Sequence, residues 1–221
     1  MPPIIKINQR ELMLQLGNQE QVFRRVFDAE TRDKVFLPAV EQMKEKFEDS
    51  DITLEIDGGI GASNQSYTLP GVKGEGANLT GFIGFEQGSN PTEEIRKRLD
   101  PAHPDGPKLE RTGVDKKNLV FQYKISGPNE KAIYANTPIP WAPGLSWAKR
   151  MEIGIAGLGK FLNKEMGEPS RSGAGIQIKN QLRGGQFKPR SYLSDIFKNF
   201  FEMASGKKYN TIKRSGQLKI K

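Results

Sequence analysis

The sequence predicts an α+β fold in which a small antiparallel β-sheet packs against a long central helix, with N-terminal helices and extended arms. Apolar residues recur at helical spacing in three separate stretches of the chain. Shorter stretches between them are typical of strands, and 24 glycines and 14 prolines supply the turns. With 221 residues and no cysteine, the chain is long enough to bury a core without disulfides. The missing cysteines also exclude thiolate zinc sites and cysteine nucleophiles.

Shifts in composition divide the chain into three segments. Residues 1–50 are expected to form an N-terminal arm and helical segment, and residues 51–168 an α+β core. Residues 169–221 are expected to form a basic C-terminal segment with an amphipathic helix and an extended tail. The charge supports the last boundary, because residues 169–221 hold 12 Lys and Arg against two acidic residues, whereas the rest of the chain is nearly neutral.

The N-terminal segment predicts a helix from about Gln19 to Asp49. Its apolar residues form one stripe, namely Val22, Phe23, Val26, Phe27, Phe36, Val40, Met43 and Phe47. Pro38 interrupts the stripe, because a proline removes a backbone donor and its ring clashes with the preceding helical turn. We therefore expect either two helices or one kinked helix here.

Four stretches of the core segment are predicted as strands: Ile52 to Asp57, Leu79 to Phe85, Asn118 to Ser126 and Lys131 to Ala135. The first alternates apolar and polar residues with period two, and the last two flank a turn and are predicted to form a hairpin. A short helix is predicted to be capped by Asn90, to begin at Pro91 and to end near Leu99.

Two stretches of the core segment are predicted as loops, residues 60–77 and residues 100–117. The first is long for a compact domain, so we expect it to be functional or to be held by a partner.

The central helix is predicted to follow Ser146, whose hydroxyl can cap its first turn. Its apolar face comprises Trp147, Met151, Ile155, Leu158 and Leu162. Three glycines interrupt it and each costs about 1 kcal/mol relative to alanine, which favours close approach by another backbone. We therefore predict an interface at Gly154, Gly157 and Gly159. Trp141 and Trp147 are included in this predicted interface, because tryptophan is the commonest hot-spot residue.

No catalytic, cofactor-binding or metal-binding residues are predicted. The run from Gly154 to Lys160 has the glycine and lysine spacing of a phosphate-binding loop, but Phe161 replaces the required Ser or Thr. His103 is the only histidine, so a catalytic triad or a zinc site would have no second histidine to use. The sequence has no run of about 18 apolar residues, so no membrane partner is expected.

The basic C-terminal segment predicts contact with an anionic partner. The residues expected to make it are Lys179, Arg183, Lys188, Arg190, Lys207, Lys208, Lys213 and Arg214. Aromatic residues are interleaved with these cations, as on surfaces that bind nucleic acid. Two other interpretations stay open, an arm that lies on an acidic neighbouring subunit and a solvated tail that only maintains solubility.

Three segments of the chain resemble minor structural proteins of tailed bacteriophages, of the neck and tail-completion kind that join the head to the tail. They are NLTGFIGFEQGSNP from Asn78 to Pro91, PWAPGLSWAKRMEIGIAGL from Pro140 to Leu158, and RSGAGIQIKNQLRGGQFKPRSYLSDIFKNFF from Arg171 to Phe201. The resemblance implies an α+β subunit, without catalytic residues, that assembles into a ring whose arms reach neighbouring subunits.

We therefore expect a non-enzymatic virion protein, assembled in the host cytoplasm, that forms a homo-oligomeric ring at the head-to-tail junction. Its expected partners are copies of itself and neighbouring neck, connector, tail tube or sheath proteins, and packaged DNA is a further candidate. The alternative is a soluble nucleic-acid-binding protein that acts through the basic C-terminal segment.

Overall fold

The computed structural model describes residues 21–69, 78–115, 120–140, 142–154, 161–163, 176–178, 187–205 and 217–220. Helices and short antiparallel sheets alternate along these residues, which confirms the predicted α+β class. Several individual elements differ from the sequence-based prediction.

The N-terminal helix is continuous through the predicted break. It consists of α1 over residues 21–31, a π-helical turn from Arg32 to Phe36, and α2 from Leu37 to Glu48. In the π-helical turn the N–H of Leu37 donates to the carbonyl oxygen of Arg32, five residues earlier. This irregularity directly precedes Pro38, which cannot donate a backbone hydrogen bond. Of the two predicted alternatives, the single irregular helix is correct.

Two predicted strands are helices. The first is α3, from Asp51 to Asp57, and the second is α4, from Leu79 to Ile83. The side chain of Asn78 caps α4 by accepting a hydrogen bond from the N–H of Gly81 at 2.9 Å. At the other end Gly84 adopts a left-handed conformation with φ 75°, which stops the helix after little more than one turn.

The next two helices also differ from the prediction. Helix α5 runs from Glu93 to Leu99, so its end was predicted correctly, whereas it begins two residues later than expected. Helix α6 runs from Glu130 to Ala135, where a strand was predicted. Asn129 caps α6 through its side-chain oxygen, which accepts from the N–H of Ala132 at 3.3 Å.

The largest sheet has three antiparallel strands in the order β1, β2, β7. The strands are β1 from Lys108 to Asp115, β2 from Val120 to Ser126, and β7 from Gln217 to Ile220. Strand β2 confirms a prediction, but β1 lies where a loop was expected. The partners of β2 are β1 and the end of the C-terminal segment, so the predicted hairpin with residues 131–135 is wrong.

The predicted long central helix is short. Strands β3, from Pro138 to Ile139, and β4, from Ala142 to Ser146, lead into α7, which runs only from Trp147 to Ile153. The hydroxyl of Ser146 accepts from the N–H of Lys149 at 3.1 Å, so the predicted cap is correct.

Helix α7 ends because Gly154 has φ 90° and ψ 155°, outside the helical region. Beyond it, β5 from Phe161 to Asn163 pairs with β6 from Ile176 to Ile178. The prediction of helix as far as Leu162 is therefore wrong.

The last helix, α8, runs from Leu193 to Ser205 and confirms the predicted amphipathic helix. Its apolar face packs against α2 and against the π-helical turn, where the rings of Phe36 and Phe200 meet edge to face at 6.4 Å. One hydrophobic cluster contains residues from all three predicted segments, among them Val40, Met43, Ile95, Ile133, Trp147 and Phe197. The described parts of the three segments therefore share a core.

Candidate interaction surfaces

Trp147 is a core residue. It is 1% exposed, and its ring lies edge to face with Phe85 at 5.7 Å and 6.3 Å from the ring of Tyr192. A side chain enclosed in this way has almost no surface to offer a partner. Trp147 therefore packs in the core and, contrary to the prediction, does not lie at an exposed interface.

The other predicted interface residues fall into two groups. Trp141, Gly157 and Gly159 lie outside the described residues. Gly154 is described, and its N–H donates to the carbonyl oxygen of Arg150 at 2.8 Å as α7 ends. Its φ of 90° accounts for a glycine at this position, so the predicted explanation by close helix packing is not needed.

Two of the predicted anion-contacting residues are described, Lys188 and Arg190, and both are exposed. The remaining six lie outside the described residues, namely Lys179, Arg183, Lys207, Lys208, Lys213 and Arg214. Within the described residues, the predicted basic surface therefore consists of the segment from Phe187 to Arg190.

This segment is fixed to the body of the protein at three points. The ring of Phe187 stacks on Phe82 with centroids 5.9 Å apart. The N–H of Lys188 donates to the carbonyl oxygen of Thr68, and the N–H of Arg190 donates to that of Met151, both at 2.8 Å. The two cationic side chains consequently project from an anchored backbone.

Tyr67 lies beside Arg190, in a loop where no site residue was predicted. Its side chain is 69% exposed, and the guanidinium carbon of Arg190 lies 5.9 Å from the centre of its ring. Its φ is 53°, and it is the only non-glycine residue with positive φ in the described part of the chain. A bulky side chain rarely adopts this conformation, which costs on the order of 1–3 kcal/mol.

Buried hydrogen bonds hold the backbone around Tyr67. The carboxylate of Glu55 accepts from the N–H of Ser66 at 2.9 Å and from the N–H of Leu79 at 2.7 Å. The hydroxyls of Ser66 and Thr68 are 2.9 Å apart, and Glu55, Ser66 and Thr68 are all fully buried. In the sequence, the only indication of this arrangement is the unusual length of the predicted loop at residues 60–77.

The second candidate surface is an apolar stripe on α1, formed by Val22, Phe23, Val26 and Phe27. These side chains are between 42% and 59% exposed. Soluble monomers rarely expose a contiguous apolar patch of more than a few hundred Å². We refer to these four residues as the α1 stripe.

Helix α1 is docked on the sheet although the α1 stripe is exposed. The ring of Phe27 stacks on Phe121 with centroids 4.8 Å apart. The carboxylate of Asp28 accepts from the guanidinium of Arg111 at 2.6 Å and from the hydroxyl of Tyr123 at 2.8 Å. The helix is therefore held in one orientation: Phe27 packs partly on the sheet, and the side chains of Val22, Phe23 and Val26 remain exposed.

No protein-family model, curated protein or solved structure matches this chain. Within the described ranges, no helix is long and apolar enough to cross a membrane. The same ranges contain no cluster of three or more His, Asp or Glu side chains arranged to hold a metal ion. His103 lies in a tight turn, where its Nδ1 accepts from the N–H of Asp105 at 3.1 Å.

The two surfaces differ in the partner that each can recognise. The α1 stripe offers apolar area, which favours another protein surface. The cluster of Tyr67, Lys188 and Arg190 combines an aromatic face with two positive charges, which favours an anionic partner with a planar group.

Proposed function

We propose that this chain is a non-enzymatic structural subunit of a tailed-bacteriophage virion. It assembles in the host cytoplasm and forms a homo-oligomeric ring at the head-to-tail junction, as a neck, tail terminator or tail completion protein. The resemblance of the three segments to such proteins supports the phage assignment. The exposed α1 stripe carries the proposal of self-assembly.

A ring requires a heterologous interface, in which one patch of a subunit meets a different patch of the next. The α1 stripe supplies the first patch, because α1 is fixed on the sheet through Phe121 and Arg111 and needs no rearrangement to present it. Exposed large apolar side chains on other helices are candidates for the second patch. They are Leu54 on α3, Ile153 on α7 and Met203 on α8. The partner of the α1 stripe is therefore a second copy of this chain.

Native mass spectrometry of the full chain at micromolar concentration tests self-assembly. We expect the parent protein to form a closed oligomer, and Val26→Asp to shift it to monomer because the new charge would be buried at the interface. Gln21→Asp is the matched control, since it makes the same charge change about 140° around the same helix. Circular dichroism should show that both variants remain folded, because both positions are exposed.

The second patch can be found with Leu54→Asp, Ile153→Asp and Met203→Glu, of which at least one should also give monomers. A parent protein that stays monomeric, both alone and with candidate neck, connector, tail tube and sheath proteins, would overturn the proposal. The virion role is tested separately by electron microscopy of the particle with which the chain copurifies. A particle without density for this protein at the head-to-tail junction would contradict it.

A further inference from the structure

The cluster of Tyr67, Lys188 and Arg190 has features that a solvated loop does not need. A tyrosine that is mostly exposed contributes little to the core, yet its backbone is held at φ 53°. Gly or Asn would adopt this conformation at lower cost. This backbone is kept in place by a buried hydrogen bond that Glu55 accepts from the N–H of Ser66 and by another between the hydroxyls of Ser66 and Thr68.

One face of the Tyr67 ring lies toward a cation and the ring remains largely open to solvent. The guanidinium carbon of Arg190 is 5.9 Å from the ring centre, so Arg190 stays close to the ring while its exposed side chain can still meet an anion. Lys188 is adjacent, because its N–H donates to the carbonyl oxygen of Thr68, the residue after Tyr67. The aromatic face is therefore presented together with the Arg190 guanidinium, and Lys188 is exposed two residues away on the same anchored segment.

The two sequence stretches that contain the cluster lack carboxylates, although the buried carboxylate of Glu55 lies against the N–H of Ser66. No Asp or Glu occurs from Gly58 to Gly74, and none occurs from Arg171 to Ser194, where five Lys and Arg are found. A polyanion would therefore meet little repulsion from the residues that flank the cluster. A base can stack on the aromatic face only when it is not already stacked in a duplex.

From this geometry we infer that Tyr67, Lys188 and Arg190 form a contact site for single-stranded nucleic acid. A base stacks on the exposed ring of Tyr67, and phosphates on either side contact Lys188 and Arg190. The anchored backbone of both segments lowers the entropic cost of presenting these three groups together. This inference goes beyond the proposed structural role and does not depend on the oligomeric state.

Fluorescence anisotropy with a labelled oligothymidine of about 15 nucleotides tests the inference. The informative variant is Tyr67→Gly, because glycine accepts the positive φ and the fold should be retained while the ring is lost. We expect Tyr67→Gly to weaken binding about 10-fold and Tyr67→Trp to restore it. The parent protein should bind a duplex with the same number of phosphates less tightly than the single strand.

Salt dependence separates the two cations from the general positive charge. Lys188→Gln and Arg190→Gln should each lower the slope of log affinity against log salt by about 0.7. Lys198→Gln is the matched control, because Lys198 is an exposed lysine of α8 in the same basic segment. The affinity of this control variant for the oligonucleotide should stay within about twofold of the parent. Each of three results would overturn the inference. The parent protein could fail to bind, Tyr67→Gly could bind as tightly as the parent, or all three glutamine variants could have equal effects. None of these results bears on the oligomer detected by mass spectrometry.

Discussion

The hydroxyl groups of Thr53 and Tyr192 share a hydrogen bond of 2.7 Å inside the core. Thr53 lies on α3 and Tyr192 directly precedes α8, so this bond connects elements that are 139 residues apart in sequence. The ring of Tyr192 also packs 6.0 Å from Phe47 and 6.3 Å from Trp147. One polar contact thus fixes how the C-terminal helix enters the shared core.

Tyr192→Phe should lower the free energy of unfolding by about 1–2 kcal/mol, because it leaves the buried Thr53 hydroxyl without this partner. Urea denaturation measures the change. Thr53→Val removes the other hydroxyl, and the double variant should be less destabilised than the sum of the two single variants by about 1 kcal/mol. Strict additivity would show that the two hydroxyls contribute independently.

The stability of the protein should fall at alkaline pH. Burial raises the pKa of Tyr192 far above its ordinary value of 10.0, chiefly because the phenolate would lose its hydration. Above about pH 10 the unfolded chain releases a proton that the native state keeps, so the free energy of unfolding decreases by up to about 1.4 kcal/mol per pH unit. Below this pH the tyrosine is protonated in both states and contributes no pH dependence.

The measurement for this prediction is urea denaturation at about pH 9, 10 and 11. Tyr192→Phe should show a shallower loss of stability than the parent, whereas Tyr67→Phe, which changes an exposed tyrosine, should match the parent. Identical slopes for the parent and Tyr192→Phe would contradict the prediction.

Glu55→Gln should destabilise the protein by about 2–3 kcal/mol. Both carboxylate oxygens of Glu55 accept from backbone N–H groups, of Ser66 and Leu79. A glutamine places an NH₂ group against one of these donors, so that buried donor loses its partner. Thermal or urea unfolding measures the effect, and Glu45→Gln on the exposed face of α2 is the control. If both variants had the same stability, the hydrogen bonds of Glu55 to Ser66 and Leu79 would not contribute measurably to the stability of the fold.

Gly106→Ala should destabilise the turn that precedes β1. A Cβ at this position would overlap the carbonyl oxygen of Asp100, which is backbone and cannot move aside as a side chain can. We expect a loss of about 2 kcal/mol in the free energy of unfolding. Gly61→Ala is the control, because a Cβ added at this position would have no neighbouring atom within 4 Å. The free energy of unfolding of this variant should change by less than about 0.5 kcal/mol. Equal stabilities of the two variants would mean that the turn relaxes without cost.

The elements predicted correctly carry signals that are local and strong. Helix α8 has a long apolar face, the N-terminal helix has a stripe across several turns, and the hydroxyl of Ser146 caps α7 as expected. A pattern repeated over several turns distinguishes helix from strand by its period. The sequence alone therefore indicated the apolar residues of the α1 stripe, and it marked Lys188 and Arg190 as residues that contact a partner.

Short apolar stretches were predicted less well, and α3 shows why. As a strand, this stretch would place Ile52, Leu54 and Ile56 on one face. In the helix Ile52 and Ile56 are buried with Glu55, whereas Leu54 is 48% exposed. The buried hydrogen bonds that Glu55 makes to Ser66 and Leu79 belong to the helical arrangement, and those residues are distant in sequence. Five or six residues are too few for the hydrophobic period to distinguish the two structures.

The sequence by itself determined the α+β class, the two longest helical segments, strand β2 and the concentration of positive charge near the C-terminus. These follow from periodicity, capping and composition, which act over neighbouring residues. Only the tertiary structure decided that α7 ends at Gly154, that Trp147 lies in the core, and that Tyr67 lies beside Arg190. Each of these depends on a backbone conformation or on a contact between distant segments, because burial and long-range hydrogen bonding arise only when the chain is folded.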